Sequence, residues 1–306
     1  MRVTQRAVAL TSLQGLNGNL TALQKLQQQM TSGKMISLPS DNPTGTNTSM
    51  VTRGAMAGNT QQARNISNGQ TFLDATDAAL QDMLTQVQRV RTLTVQGLNS
   101  GSMDPVAEGN LATEVNGIRE SLVGAANQVV QGRPIFGGMT SGSKAYNADG
   151  TYAGAGGDLT PVTPLNARIS DVETVRVDIT GPEAFGKPSS GKDLFTVVQN
   201  IATHMSDPVT GATNATALAS DLNDLDNVIN GMKTALADVG TREARMQTAA
   251  TNNTAQQLSL QATLSATEDV DLPKTIMHLQ MQQVGYQAAL QVTAQALQPT
   301  LVDFLK

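Results

Sequence analysis

The chain has 306 residues, which is enough for two or three domains of ordinary size. Lysine and arginine number 20 and aspartate and glutamate 25, so the net charge is −5. This balance argues against nucleic-acid or anionic-membrane binding, which needs clustered basic residues. A sequence without cysteine excludes thiol catalysis, disulfides and cysteine-based zinc sites. The sequence contains no run of 18 apolar residues, so no membrane-spanning helix is predicted. The N-terminal sequence also lacks the apolar core of a secretory signal.

Apolar residues recur at steps of three and four near the N-terminus, which predicts an amphipathic helix over residues 3–32. The stripe consists of Leu13, Leu16, Leu20, Leu23, Leu26 and Met30. Gly33 is placed to end this helix, and Pro39 and Pro43 oppose its continuation. We therefore expect an irregular linker over residues 33–48.

Two further helices are predicted before the middle of the chain. The second runs from about Met50 to Asn99, where apolar residues recur every seven positions, at Ile66, Leu73, Leu80 and Val87. After a turn around Gly101–Pro105, the third helix continues to the region of Gly132. Its apolar positions are Leu111, Val115, Ile118, Leu122, Ala125 and Val129.

The centre of the chain, residues 133–188, is rich in turns and in strand-forming residues. The sequence Asn147-Ala148-Asp149-Gly150 is typical of a hairpin turn, here between Tyr146 and Tyr152. A short strand is predicted over 172–179, where Val172, Val175, Val177 and Ile179 precede Gly181 and Pro182. Helix is expected again from about Asp193.

The last third of the chain has the most regular pattern. Alternating steps of four and three from Leu218 to Leu264 visit 14 positions, of which 11 are apolar; the exceptions are Glu243, Asn253 and Gln257. Pro273, after three acidic residues, is suited to the start of a final helix. The apolar side of that helix carries Ile276, Leu279, Tyr286, Leu290, Leu297, Leu301 and Phe304.

These patterns predict a fold that is mainly α with a small β insertion. We expect an elongated antiparallel helical rod or coiled coil, formed by both termini, together with a central β-rich domain. The corresponding division places the terminal coiled-coil domain at 1–48 and 268–306, the helical rod at 49–132 and 191–267, and the β-rich outer domain at 133–190. A single amphipathic helix is marginal alone, and even a pair leaves apolar surface exposed, so the two ends are predicted to need neighbouring molecules.

Both ends of the sequence carry recognisable motifs. The run from Met30 to Gly45, MTSGKMISLPSDNPTG, resembles the segment that follows the first terminal helix in the flagellin superfamily. The sequence from Thr267 to Leu272, followed by a glutamine-rich helix and LVDFL at 301–305, is similar to the C-terminal signature of that superfamily. The segments at 132–138 and 146–152 resemble those of the hook–filament junction branch. The motif residues are Ser40, Asp41, Pro43, Gly132, Phe136, Gly137, Glu268, Asp269 and Asp271.

The resemblance implies a non-enzymatic structural adaptor that joins the flagellar hook to the flagellin filament through axial and lateral packing of its terminal helices. Its implied partners are copies of itself in a ring, a neighbouring hook-associated protein, flagellin on the filament side and an export chaperone. It implies no cofactor, metal, nucleic acid or membrane. The implied location is the extracellular flagellum, reached through type III export without a cleavable signal. A short flagellin, the bulk subunit of the filament, is the alternative.

Several motifs suggest other chemistry but lack a required residue. Two near-matches to a phosphate-binding loop, at 181–188 and 186–193, end in Pro188 and Asp193 where a hydroxyl is needed. Residues 221–227 lack the glycine and closing glutamate of a calcium loop. The acidic residues 268–271 are interpreted as helix caps rather than a cation site, and His204 and His278 as structural or surface residues. The remaining rivals are an enzyme with its site in the β-rich domain and an unrelated coiled-coil scaffold.

Overall fold

The computed structural model describes residues 5–99, 105–140, 142–155, 163–206 and 211–297. Its α-helices are α1 (Gln5–Ser32), α2 (Pro43–Leu98), α3 (Pro105–Ala126), α4 (Gly181–Phe185), α5 (Leu194–Ser206), α6 (Gly211–Glu268) and α7 (Leu272–Leu297). The strands are β1 (Val129–Val130), β2 (Arg133–Pro134), β3 (Asn166–Arg168) and β4 (Thr174–Arg176). The two sheets are antiparallel pairs, β1 with β2 and β3 with β4. The mainly α fold with a small β insertion is confirmed.

The chain divides into two compact units. The terminal unit comprises the described residues of Met1–Gly58 and Gln256–Lys306, and the central unit comprises those of Asn59–Ala255. Helices α1 and α7 belong to the terminal unit, whereas α2 and α6 contribute residues to both units.

The irregular linker predicted over 33–48 is shorter in the structure, because α2 begins at Pro43. Two local features explain this early start. The Asn42 side-chain oxygen accepts a hydrogen bond from the Gly45 N–H at 2.9 Å, as a helix N-cap does. Proline is also well suited to a first helical position, where no N–H is needed. Pro43 therefore starts the second helix earlier than expected, while the first helix still ends at Ser32.

The third helix was predicted to continue to the region of Gly132, and this is wrong: α3 ends at Ala126. The chain turns because Gln131 and Gly132 both adopt positive φ, 51° and 79°, and connect β1 to β2 in a two-residue hairpin. Asn127 supports the exit from the helix, since its side-chain oxygen accepts the Ala145 N–H at 2.8 Å. The predicted turn at 101–105 falls largely on residues outside the described ranges.

The predicted strand at 172–179 is reduced to β4. Val172 is 97% exposed and lies in the turn between β3 and β4, so its β-branched side chain was a misleading signal. The partner strand, β3, was not predicted, because Asn166-Ala167-Arg168 has little strand character. The predicted hairpin is confirmed: Tyr146 and Tyr152 pair across the turn, and Asn147 donates its backbone N–H to the Thr151 carbonyl at 2.9 Å.

The central unit contains the hydrophobic core. Its buried apolar residues extend along the chain from Ile66 to Met246, and the β-rich segment packs into the same cluster as the helices. Helices α2 and α6 run antiparallel within this unit, as contacts from Gln70 to Gln247 and from Arg91 to Asp226 show. All 14 positions of the repeat between Leu218 and Leu264 are buried or half-buried, which confirms the seam predicted there.

Candidate assembly interface

Helices α1 and α7 form an antiparallel pair within the terminal unit. The Gln282 side-chain amide donates to the Asn19 side-chain oxygen at 3.1 Å, and Lys34, just after α1, pairs with Asp269, just before α7. From the predicted stripes, the side chains half-buried in the terminal unit are Leu16, Leu23, Leu26, Met30, Leu279 and Tyr286. The two terminal stripes therefore meet each other inside the chain.

The other predicted interface residues are exposed or fall outside the description. Leu13 and Leu20 on α1 are exposed, as are Ile276 and Leu290 on α7. The Leu297 side chain, Leu301 and Phe304 lie outside the described residues. Their role in assembly stays a prediction.

A second apolar stripe on α7 was missed by the sequence analysis. We define the outer stripe as Met277, Met281, Val284 and Val292, whose side chains are 62–69% exposed. At about 100° of rotation per residue, the outer stripe lies on nearly the opposite side of α7 from Leu279 and Tyr286. The outer stripe is visible in the sequence, because its four residues follow one another at steps of four, three and eight. It was not predicted because only one apolar face was assigned to this helix.

The terminal unit is unusual in how little apolar surface it buries. Among the described residues, all fully buried large apolar side chains lie in the central unit, between Ile66 and Met246. Of 19 exposed large apolar side chains in the described chain, 15 belong to the terminal unit. A face of this kind is suited to binding another apolar surface, because the free energy of burying it has not yet been gained.

Two distant parts of the sequence join at the end of this helix pair. We call this site the clasp, formed by residues 33–41 with 268–270. Met35 donates its N–H to the Glu268 carbonyl at 2.6 Å, and Val270 donates to the Gly33 carbonyl at 3.0 Å. The motif segments of the two ends are therefore in direct contact, although more than 200 positions separate them.

Charges reinforce the clasp. The Glu268 side chain is only 7% exposed and lies 2.7 Å from the Arg53 guanidinium and 3.3 Å from Lys34 Nζ. Lys34 Nζ also lies 2.7 Å from Asp269. Burial acts to raise the pKa of Glu268, but its bonds to Arg53 and Lys34 outweigh this and hold the pKa below its usual value. The bond from Lys34 likewise lowers the pKa of Asp269, and that of Lys34 is raised by the same contact.

The interpretation of residues 268–271 as helix caps is correct for one residue only. Asp271 caps α7, since its carboxylate accepts the Lys274 N–H at 3.1 Å. Glu268 is the last residue of α6 and Asp269 follows it, at the helix end where negative charge is unfavourable. The cations of the clasp compensate for this position, so both acids act as ion-pair partners rather than caps.

The other N-terminal motif residues shape the loop beside the clasp. The Asp41 carboxylate accepts the N–H groups of Ser37 and Leu38 at 3.2 and 3.0 Å and pairs with Lys25 at 2.9 Å. The bond from Lys25, with those two backbone bonds, lowers the pKa of Asp41. Ser40 is exposed. Asp41 thus ties this loop to α1.

The remaining motif residues lie in the central unit. Gly132 supplies the second positive φ of the β1–β2 turn. Phe136 is fully buried, with its ring centroid 4.8 Å from that of Phe185. A Cβ on Gly137 would lie 2.6 Å from the Pro134 ring, so only glycine fits there without movement. These positions are explained by packing and backbone geometry.

The two histidines differ in their surroundings. His204 Nδ1 lies 2.5 Å from the Asp221 carboxylate, a pairing of α5 with α6 that the sequence spacing did not indicate. His278 is exposed. No group of three or more His, Asp or Glu side chains suited to a metal was found in the described ranges. Likewise, none of the described helices is long and apolar enough to cross a membrane.

Two models of known protein families match the chain. The pattern of the bacterial flagellin N-terminal helical region matches residues 3–141, and that of the bacterial flagellin C-terminal helical region matches residues 222–305. The chain therefore belongs to the flagellin family of structural flagellar proteins.

Individual relatives include both kinds of protein considered above. The flagellar hook-associated protein 3 of Salmonella typhimurium is 25% identical over 307 residues, covering 94% of this chain and 95% of the relative. The flagellin of Bacillus subtilis is 25% identical over 302 residues, covering 97% of each. Among solved structures, a putative flagellar hook-associated protein from Vibrio parahaemolyticus has a TM-score of 0.66 at 17% identity, covering 75% of this chain and all of that structure.

Proposed function

We propose that this chain is a structural adaptor of the bacterial flagellum that joins the hook to the flagellin filament. The observation that carries the proposal is the terminal unit, which pairs its helices yet leaves most of its large apolar side chains exposed. Such a surface is suited to a protein that is incorporated into an assembly, because incorporation would bury it.

In this proposal α7 makes contacts with two of its sides. Its inner side packs on α1 through Leu279 and Tyr286, while the outer stripe is available to a neighbouring molecule. The clasp sets how the two terminal segments align, because its backbone hydrogen bonds are combined with ion pairs of Lys34 with Glu268 and Asp269 that only this alignment brings together. Binding would then require no catalysis, cofactor or metal, only apolar packing against matching helices.

Membership of the flagellin family supports the partners proposed next. Lateral contacts would be made with copies of this chain in a ring, and axial contacts with a neighbouring hook-associated protein and with flagellin. We further propose type III export of the unfolded chain with the help of a dedicated chaperone, and a final location outside the cell. The five-part domain division remains part of this proposal.

The family also contains flagellins, and a relative of each kind matches nearly the whole chain at 25% identity. The segments at 132–138 and 146–152, which resemble the junction branch, favour the adaptor over a short flagellin.

Imaging of cells that lack this chain distinguishes the two functions. For the adaptor we expect complete hooks without filaments, and intact flagellin released into the medium. For a filament subunit, the chain itself would be the abundant secreted protein of wild-type cells, and its loss would release no other flagellin. Cells that still carry attached filaments after the deletion would contradict both functions. Re-expression of the full chain is the control.

A further inference from the structure

The central unit contains a cavity of about 310 Å³ that the proposed function does not use. It lies between α2, the β1–β2 turn and β3. Its lining residues include Asn65, Asn68, Phe72, Gln131, Arg133 and Asn166. The cavity also has an apolar part, to which Phe72, Leu165, Ala167 and Val177 contribute.

One wall of the cavity is the free edge of β3. Val177 donates to the Leu165 carbonyl and Ile169 donates to the Glu173 carbonyl, so the hydrogen-bonded pairs with β4 involve residues 165, 167 and 169. The backbone groups of Asn166 and Arg168 therefore face away from β4. The Arg168 carbonyl accepts the Asn65 side-chain amide at 3.2 Å, whereas the backbone of Asn166 has no partner among the described residues. With respect to the described residues, the N–H and C=O of Asn166 are thus both available for an added strand.

Two arginines and no acidic residue are among the described residues that line the cavity, although the chain as a whole carries a charge of −5. The charge of Arg168 is compensated, since Nη2 lies 3.4 Å from the Asp171 carboxylate and donates to the Asp171 carbonyl at 2.9 Å, while Nε donates to the Ser170 carbonyl at 3.0 Å. The other arginine, Arg133, carries the positive charge of the site. Arg133 is half-buried and has no hydrogen bond or ion pair with any described residue. A half-buried guanidinium that no described residue of the chain pairs with is suited to an incoming carboxylate.

Backbone strain occurs at the same place. Gln131 is the one non-glycine residue of the described chain with positive φ, at 51°, and it lies on the cavity wall next to Arg133. A conformation of this kind costs free energy and is commonly kept where it positions neighbouring groups. Here it holds the turn that carries Arg133 against the cavity.

We propose that this cavity binds an extended acidic peptide segment of a neighbouring protein. The segment adds as a short strand to β3, exchanging two backbone hydrogen bonds with Asn166, and places an aspartate or glutamate carboxylate on Arg133. Alternate side chains of the segment point into the apolar part of the cavity. Because this site lies wholly in the central unit, it is separate from the helix packing proposed for the terminal unit.

The test is a titration of the full-length ¹⁵N-labelled chain with a synthetic peptide, acetyl-Val-Asp-Val-Asp-Val-amide, followed by NMR. We expect saturable shifts of the Asn166 amide and of the Arg133 Nε–H signal. The neutral peptide with asparagine at both aspartate positions should bind about tenfold more weakly, since it lacks the charge-assisted bond. Arg133→Gln should weaken binding of the acidic peptide by a similar factor, and Arg133→Lys should restore part of it.

Arg64→Gln is the matched control, because Arg64 is an exposed residue of α2 that does not line the cavity. It should leave the affinity unchanged. The proposal is overturned if the acidic peptide gives no saturable shift at Asn166, or if Arg133→Gln and Arg64→Gln bind equally well. Sodium acetate that bound with the affinity of the peptide would reduce the cavity to a small-anion site and would also overturn it.

Discussion

Met281→Asp tests whether the outer stripe of α7 is an assembly surface. In the isolated chain Met281 is 69% exposed, so we expect the free energy of unfolding to change by no more than about 0.5 kcal/mol. Complete burial of a methionine side chain is favourable by about 1.5–3 kcal/mol. Burying the part of Met281 that is exposed would therefore contribute about 1–2 kcal/mol to the free energy of assembly. Placing an unpaired carboxylate there costs at least about 2 kcal/mol more. The total, at least about 3 kcal/mol per subunit, corresponds to a hundredfold or greater loss of affinity.

The assay is filament attachment in cells that carry only the variant, with urea unfolding of the purified chain as the stability measurement. Gln280→Asp is the matched control, since Gln280 is exposed, belongs neither to the outer stripe nor to the predicted interface residues of α7, and receives the same charge. We expect normal filaments with Gln280→Asp and few or none with Met281→Asp, at equal stability. Equal filament attachment by both variants would refute the assignment of the outer stripe as an interface.

Two further predictions concern contacts inside the chain. Asn253→Ala removes two hydrogen bonds that the Asn253 side-chain amide donates to the buried Asn59, one to its backbone oxygen at 2.9 Å and one to its side-chain oxygen at 2.7 Å. The free energy of unfolding, measured by urea titration, should therefore fall by about 1–3 kcal/mol. Asn252→Ala, at an exposed neighbour, should change it by less than about 0.5 kcal/mol, and equal effects would contradict the role of the buried pair. In the clasp, the pKa values of Glu268 and Asp269 lie below the usual 4.5 and 3.8. The stability that these two carboxylates contribute is therefore complete above about pH 4.5 and is lost as the pH falls through their lowered pKa values. Amide protection of residues 33–41 should therefore decrease between pH 6 and pH 3, and Glu268→Gln should reduce it already at pH 6; protection independent of both would contradict the account.

Much of the helical architecture could be predicted because the heptad pattern is local information. The repeat from Leu218 to Leu264 fixed the buried side of α6, and even its exception at Asn253 is buried, where it pairs with Asn59. The errors arose where one residue type serves two purposes. Pro43 opposes continuation of α1, as predicted, but it also begins α2. Val172 occupies a turn although its side chain favours strands.

The candidate site was only partly predictable. Both terminal stripes and both motif segments could be found in the sequence, but their meeting in the clasp depends on contacts such as Lys34 with Glu268, over 200 positions apart. No periodicity reports such a pairing. The outer stripe could have been found in the sequence. It was not, because α7 has apolar residues on two sides and only the side that carries Leu279 and Tyr286 was predicted.

The most direct test of the account is hydrogen–deuterium exchange of the full chain, measured dilute and again within isolated flagella. We expect amides of α1 and α7 in the dilute chain to exchange with opening free energies of only about 0–2 kcal/mol, and those between Ile66 and Met246 to be strongly protected. Incorporation should then slow exchange in both terminal helices. Terminal helices that are as protected as the core in the dilute chain, with no further change in flagella, would contradict the central claim.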